Sequence, residues 1–208
     1  MTEPTSSLTF RGLSISFDQR VLRPRPWTEA QSAWAAGLLA DAPAGPVLEL
    51  CSGVGHIGLA AVKDSPRNLI MVDADPVAHR FAQANAAANS LASRAEVRLA
   101  RLEKALRADE RFALIIADPP WVRSQDTDTF PDDPLQAIDG GDDGLDLARS
   151  CVDIIDRHLA IGGSALLQVG SDAQAEAIAA HADGLSPGSV TVVETSTFDD
   201  GVIIRLKR

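Results

Sequence analysis

Asp118, Pro119, Pro120 and Trp121 form an unbroken tetrapeptide directly after the apolar run Phe112 to Ala117. A carboxylate accepts hydrogen bonds, and so does a proline carbonyl, while two proline rings stiffen the chain and remove backbone donors. Asp118 and the carbonyl of Pro119 thus offer two acceptors to one amino group, whose lone pair is left aimed at an electrophile. Trp121 adds a flat apolar wall on which a carboxamide or a base ring can stack. Catalysis there would be orientation plus dipoles aligned with a developing ammonium, without a strong base. The plain alternative is a proline-stiffened loop around a buried tryptophan.

A second reactant finds its residues upstream. Gly53 and Gly55 follow the run Leu48-Glu49-Leu50-Cys51-Ser52 and precede a helical stretch, where the backbone can turn sharply and offer free N–H groups to a ligand. A lone Gly-x-Gly also fits a tight turn. Asp73 ends the next apolar run, with Ala74 after it, at the place where an acid accepts the hydroxyl protons of a ribose. Glu49 changes the expected cofactor: a carboxylate aimed into the cradle repels a pyrophosphate and suits the cationic amino-acid end of S-adenosylmethionine. The expected cradle is Glu49, Cys51, Ser52, Gly53, Gly55, Asp73 and Ala74, with S-adenosylhomocysteine as product.

No metal is expected. The carboxylates between Asp139 and Asp146 do not fit the spacing of a calcium loop; Gly140 and Gly141 make a turn, and Asp143 is expected to cap a helix starting near Leu145. Cys51 and Cys151 have neither Cys-x-x-Cys spacing nor a histidine cluster, so they read as small apolar residues. His56, beside the cradle, reads as a helix-start residue contacting ligand backbone and not as a base.

The elements that must hold these residues follow from hydrophobic period. Residues 8–18 alternate around a glycine and read as a short hairpin, and Trp27 to Ala40 carries helical spacing with Thr28 as its N-cap. From Val47 onward, strand-length runs (47–51, 69–73, 97–100, 113–117, 164–169) alternate with helical stretches (57–63, 77–89, 103–108, 145–158, 173–182). That alternation predicts a mostly parallel sheet covered on both faces. Strand-like runs at 190–197 and 202–207, separated by a turn containing Asp199-Asp200-Gly201, predict an antiparallel hairpin at one edge. The fold class is α/β, a Rossmann-like seven-stranded sheet in one domain, 1–208, with 1–44 as a hairpin-and-helix extension and 45–208 as the core.

With 208 residues and 45% hydrophobic composition the chain can bury one sizeable core. The amino terminus lacks a basic segment followed by an apolar core, and no stretch is long enough to cross a bilayer, so a cytoplasmic location without membrane attachment is expected. A net charge of −10 opposes polyphosphate. Two arginine groups, Arg20, Arg23 and Arg25 and then Arg94, Arg98 and Arg101, keep a local nucleic-acid patch open.

The Asp-Pro-Pro-Trp (DPPW) motif resembles the [Asn/Asp]-Pro-Pro-aromatic signature of methyltransferases that act on adenine, guanine or glutamine nitrogens. Three stretches narrow the likeness. Pro24-Arg25-Pro26-Trp27-Thr28-Glu29 is similar to the Pro-Arg-Pro-x-Thr-Glu segment of the HemK/PrmC family, which methylates a glutamine of translation release factors. Gly140-Gly141-Asp142-Asp143-Gly144-Leu145-Asp146 is similar to its Gly-Gly-x-Asp-Gly-Leu-Asp loop, and Gly162-Gly163 before Leu166-Leu167-Gln168-Val169-Gly170 to the strand that follows. The resemblance runs over residues 8–208. It implies an S-adenosylmethionine-dependent N-methyltransferase with a protein glutamine or similar carboxamide as acceptor. The motif residues Asp118, Pro119, Pro120 and Trp121 would be catalytic.

Four departures stand out. Asp118 replaces the usual Asn and, when ionised, only accepts. Cys51-Ser52 stands where Gly-Thr is common. Leu99-Ala100-Arg101 lacks the Gly-Asp pair that often meets adenine, which leaves Glu103 as the expected contact. Roughly forty residues precede the cradle, so the release-factor-holding helical domain of bacterial members is not expected, and another docking surface or an activator subunit would serve. Methylation of an adenine or guanine amine in RNA or DNA is the second reading. A cofactor-binding partner protein without turnover is the third.

Overall fold

The computed structural model describes residues 4–186, 188–198 and 201–208. The chain opens with an antiparallel hairpin, β1 (Ser6–Phe10) and β2 (Leu13–Phe17), followed by α1 (Thr28–Leu38). Next come β3 (Val47–Leu50), α2 (His56–Val62), β4 (Leu69–Asp73), α3 (Pro76–Ala88), β5 (Ala95–Leu99) and β6 (Phe112–Ala117). The second half carries α4 (Leu135–Ile138), α5 (Asp146–His158), β7 (Leu159–Val169), α6 (Asp172–Asp183), β8 (Thr191–Phe198) and β9 (Gly201–Lys207). Strands β3 to β9 make one sheet in the order β5-β4-β3-β6-β7-β9-β8. Neighbours from β5 through β7 are parallel, and β9 runs antiparallel between β7 and β8. This is the Rossmann-like, seven-stranded sheet expected, and its strand order reverses between β3 and β6, the switch point where open α/β sheets hold ligands.

Alternation along the strands divides the core into two layers. Ile115, Ala117, Ala165 and Leu167 face α5 and α6, whereas Leu114, Ile116 and Leu166 face α1, α2, α3 and the hairpin. The hairpin is clasped by α3 in an unusual way. Asn85 accepts from the amide of Ser16 at 2.8 Å and donates to its carbonyl at 3.1 Å; Asn89 does the same to Ser14, at 3.0 and 2.9 Å. Two carboxamides one helical turn apart thus match two alternate residues of a strand.

Three local expectations change. The helix expected over 103–108 is a single 3-10 turn, Leu102–Lys104, because so short a segment cannot offset helix nucleation and Glu110 instead accepts from Arg98 and from the amide of Arg107. Thr28 is the first helical residue and Trp27 the N-cap; the Thr28 hydroxyl donates to the carbonyl of Arg25 at 2.7 Å. Asp143 accepts from the amide of Leu145 and pairs with Arg149, while Leu145 is the N-cap of α5. A 3-10 segment, Ser124–Thr129, and α4 follow the DPPW motif without having been expected. The turn expected between β8 and β9 includes Asp199 and Asp200, which lie outside the described residues. Among the described residues, no helix is long and apolar enough to cross a membrane.

Candidate active site

The cradle starts where β3 ends. Cys51, Gly53 and Gly55 take left-handed φ values of 54°, 52° and 80°, a contorted path that lets backbone line a cavity directly. Gly55 has a packing reason as well, since a Cβ there would stand 2.7 Å from the sulfur of Met71. Asp73 holds the loop: one carboxylate oxygen accepts from the amide of Gly53 at 2.7 Å and the other from that of Asp75 at 2.9 Å. Cys51, Ser52, Gly53, Asp73 and Ala74 line a cavity of about 290 Å³, with Glu103 on its wall. Each Asp73 oxygen retains a lone pair, so the carboxylate that shapes the loop can also take ribose hydroxyls.

Glu49 stands elsewhere than expected. Its side chain turns under α2, where Oε1 accepts from the amide of Gly58 at 3.0 Å and Oε2 is buried without a partner among the described residues. It forms the floor beneath the loop and not the cavity wall. Burial raises its pKa to about 8, and the nearby carboxylates of Asp118 and Asp73 add to the rise. Asp73 is raised by burial too, and burial lifts Asp118 to about 7. Three buried acids therefore converge, and none of them is ion-paired among the described residues, an arrangement that favours a positively charged ligand.

His56, at the start of α2, is neutral: burial lowers it to about 3. Since Thr28 Oγ1 donates to Arg25, the 3.1 Å contact with His56 is a donation from Nε2, and the ring packs edge-on against Phe10. The neighbouring Cys151 thiol, and then burial, hold the Cys51 thiol well up and hence protonated.

The DPPW motif leaves the carboxyl end of β6 and divides two cavities. Asp118 and Pro120 front the cradle cavity and also a second one of about 450 Å³, which Pro119, Trp121 and Phe130 line further. Arg25 reaches both cavities, ion-pairs with Asp133 and lies over the Trp27 ring. A third, more open trench of about 550 Å³ continues past Trp121 towards the start of α6.

Two glutamines absent from the sequence reading help position the motif. Gln31 of α1, fully buried, donates to the carbonyl of Ala117 at 2.9 Å and more weakly to that of Leu166, bridging β6 and β7 below Asp118. Gln174 donates to the carbonyl of Trp121 at 2.9 Å and accepts from the amide of Gly170 at 2.8 Å. Gly170 lies under the indole, where a Cβ would come within 2.3 Å of Cε3. Val122 pairs with the glycine loop, donating to Ile138 and accepting from Gly140, and a Cβ on Gly140 would strike the carbonyl of Pro120 at 2.7 Å. The acidic loop is therefore a buttress: Asp139 accepts from Ser124 and the amide of Gly141, and Asp143 from Arg149. The spacing of its glycines was a visible signal, whereas the glutamines, distant in sequence, gave none.

Comparison with known proteins agrees with this layout. Residues 32–132 match the family model "Methyltransferase small domain". The release factor glutamine methyltransferase of Cereibacter sphaeroides is 33% identical over 193 residues, covering 88% of this chain and 66% of the relative. The ribosomal protein uL3 glutamine methyltransferase of Francisella tularensis is 31% identical over 169 residues, covering 78% and 54%. The chain thus spans between about half and two thirds of the length of these relatives. Among solved structures, the ribosomal protein L11 methylase of Lactobacillus delbrueckii subsp. bulgaricus superposes with a TM-score of 0.65 at 14% identity, over 92% of this chain and 83% of that one, a likeness of fold. Motif order, sheet topology and these relatives agree: the chain belongs to the HemK/PrmC-like family of class I methyltransferases.

Proposed function

We propose that the chain methylates the side-chain amide nitrogen of a protein glutamine, or a similar carboxamide, using S-adenosylmethionine. The observation that carries this reading is the shared partition: Asp118 and Pro120 touch the cradle cavity on one side and the acceptor cavity on the other. The residues fit the cofactor. Asp73 lines the cradle beside the loop from Cys51 to Val54, which fronts the cavity, and the buried acids Asp73 and Asp118 on that cavity suit the cofactor's positive charge. Bound there, it supplies a methyl group made electrophilic by the attached sulfonium.

The chain's own residues then orient the acceptor. Ionised Asp118 takes one N–H of the carboxamide and the Pro119 carbonyl the other, while the Trp121 ring stacks on the amide plane. As the nitrogen gains its methyl group, the proton it sheds can pass to the Asp118 carboxylate, whose pKa of about 7 suits both states near neutrality. A nucleic-acid acceptor has less support: Arg20, Arg25 and Arg123 are each held by an aspartate, respectively Asp18, Asp133 and Asp126.

The test is transfer from methyl-labelled S-adenosylmethionine to purified release factor, to purified uL3 and to fractionated cell extract, with Asp118→Ala as control. Label in a glutamine, lost in the variant, supports the reading, and label in nucleic acid overturns it. Transfer seen only in extract points to an activator subunit, and cofactor binding without any transfer to a non-catalytic partner role.

A further inference from the structure

The register of β6 and β7 places another polar residue beside Asp118. Ala117 pairs with Leu167, so Asp118 and Gln168 occupy the next positions on adjacent strands, roughly 5 Å apart by ordinary strand spacing. Gln168 alternates with Leu167 and so faces the α1 side of the sheet, with Leu166. It lines the acceptor cavity and is only 2% exposed. Its Nε2 is buried without a hydrogen-bond partner among the described residues. A buried amide donor left unpaired is costly, so a chain that retains one beside a cavity has a use for it when the cavity fills. On the other strand, Asp118 and Pro119 offer only acceptors.

We propose that Gln168 is the residue that selects a carboxamide, by donating from Nε2 to the acceptor's carbonyl oxygen while Asp118 and Pro119 take its N–H groups. The inference rests on the carboxamide reading above and deepens it. A carboxamide carries N–H donors and a carbonyl acceptor on one flat group, and this site presents the complement: acceptors at the end of β6 and a donor at the end of β7. A simple alkylamine has no atom for the Gln168 donor and would leave it buried and unpaired, which disfavours it. Gly201 leaves room for this side chain, since a Cβ there would stand 3.5 Å from Nε2. Gln168 touches substrate under this proposal but moves no proton, so its loss acts on acceptor affinity first.

Gln168→Leu and Gln168→Met separate this role from a structural one. Leu removes both polar atoms at similar volume, and Met keeps the unbranched shape but has no donor. Two readouts are needed. The first is binding of N-acetylglutaminamide to protein loaded with S-adenosylhomocysteine, followed by ligand-observed NMR; the second is the KM and kcat of methyl transfer to whichever of release factor and uL3 accepts label. Both variants should weaken amide binding by about tenfold or more and raise KM by a similar factor, with kcat changed less. Affinity for S-adenosylhomocysteine should stay near wild type, and the melting temperature of the ligand-free protein should not fall below it.

Amide binding unchanged in both variants overturns the proposal, as does wild-type protein that fails to bind the amide. Equal loss of amide and S-adenosylhomocysteine binding also overturns it, since that reports a damaged fold. If wild type binds the amide through Gln168 yet methylates no carboxamide, the selectivity stands and the functional reading fails.

Discussion

Asp118 and Glu49 are both acids lifted by burial, and their positions separate their consequences. Asp118 fronts the acceptor, so transfer should need its ionised form: the rate at saturating substrate should rise with pH and level off above about 7. Asp118→Asn should flatten that rise and slow transfer by about 10²-fold or more, as a pH–rate series on both proteins would show. Glu49 lies under the loop, and its signature is stability. Its folded value of about 8 lies above its ordinary 4.5, so folding takes up a proton between those values. The stabilisation this gives is complete below about 4.5 and lost as pH rises through about 8. The melting temperature of the ligand-free protein should therefore fall from pH 6 to 9, and Glu49→Gln should reduce that fall. S-adenosylmethionine should stabilise wild type more at the upper end. Gly170→Ala provides a third residue-scale test. Its Cβ would meet the Trp121 ring, so transfer should drop by about tenfold or more while cofactor affinity holds, a split that equilibrium binding and kinetics measured together would reveal.

Elements show where sequence was legible. The runs Leu69 to Asp73 and Ala113 to Ala117 announced strands because buried parallel strands are apolar on both faces, and their observed bounds agree to within a residue, whereas the strand expected over 164–169 starts five residues earlier, at Leu159. Asp73 and the DPPW motif were equally readable, since each sits where a strand meets a loop. Helix α1 was read from the helical spacing of Trp27 to Ala40, yet its buried face carries Thr28, Gln31, Ser32 and Ala35. That face is polar because its side chains donate to carbonyls of neighbouring elements, Gln31 to those of Ala117 and Leu166 and Ser32 to that of Ile57, a demand set by tertiary contact that no periodicity reports. Glu49 was misplaced for a related reason: strand alternation turns it towards α2, on the face opposite Leu48 and Leu50. Asn85 links several of these elements, since beyond the Ser16 clasp it donates to the carbonyl of Val54 in the cradle loop at 3.0 Å. Asn85→Ala should cost about 1–3 kcal/mol of stability and weaken S-adenosylhomocysteine binding, whereas Asn89→Ala, clasping only the hairpin, should leave binding unchanged. Calorimetric titration of the two variants distinguishes these outcomes.

At the scale of the whole molecule, charge and cavity agree. Asp128 and Asp132, in the segment around the cavity-lining Phe130 and Asp133, have no ion-pair partner among the described residues, and the chain carries −10 overall. A phosphate backbone would meet repulsion at this mouth, whereas a lysine- or arginine-rich polypeptide would be drawn to it. Electrophoretic mobility assays with an RNA hairpin should show no complex at 0.15 M salt, roughly physiological; a complex that weakens steeply with added salt would overturn the protein-acceptor reading. The clasp between α3 and the hairpin carries a consequence of another kind. The outward amides and carbonyls of Ser14 and Ser16 would otherwise be a sticky margin, ready to zip onto the same margin of another copy. Asn85 and Asn89 stand in for that neighbour, so the helix seals the strand from within its own chain and polymerisation along this edge has nothing left to bond.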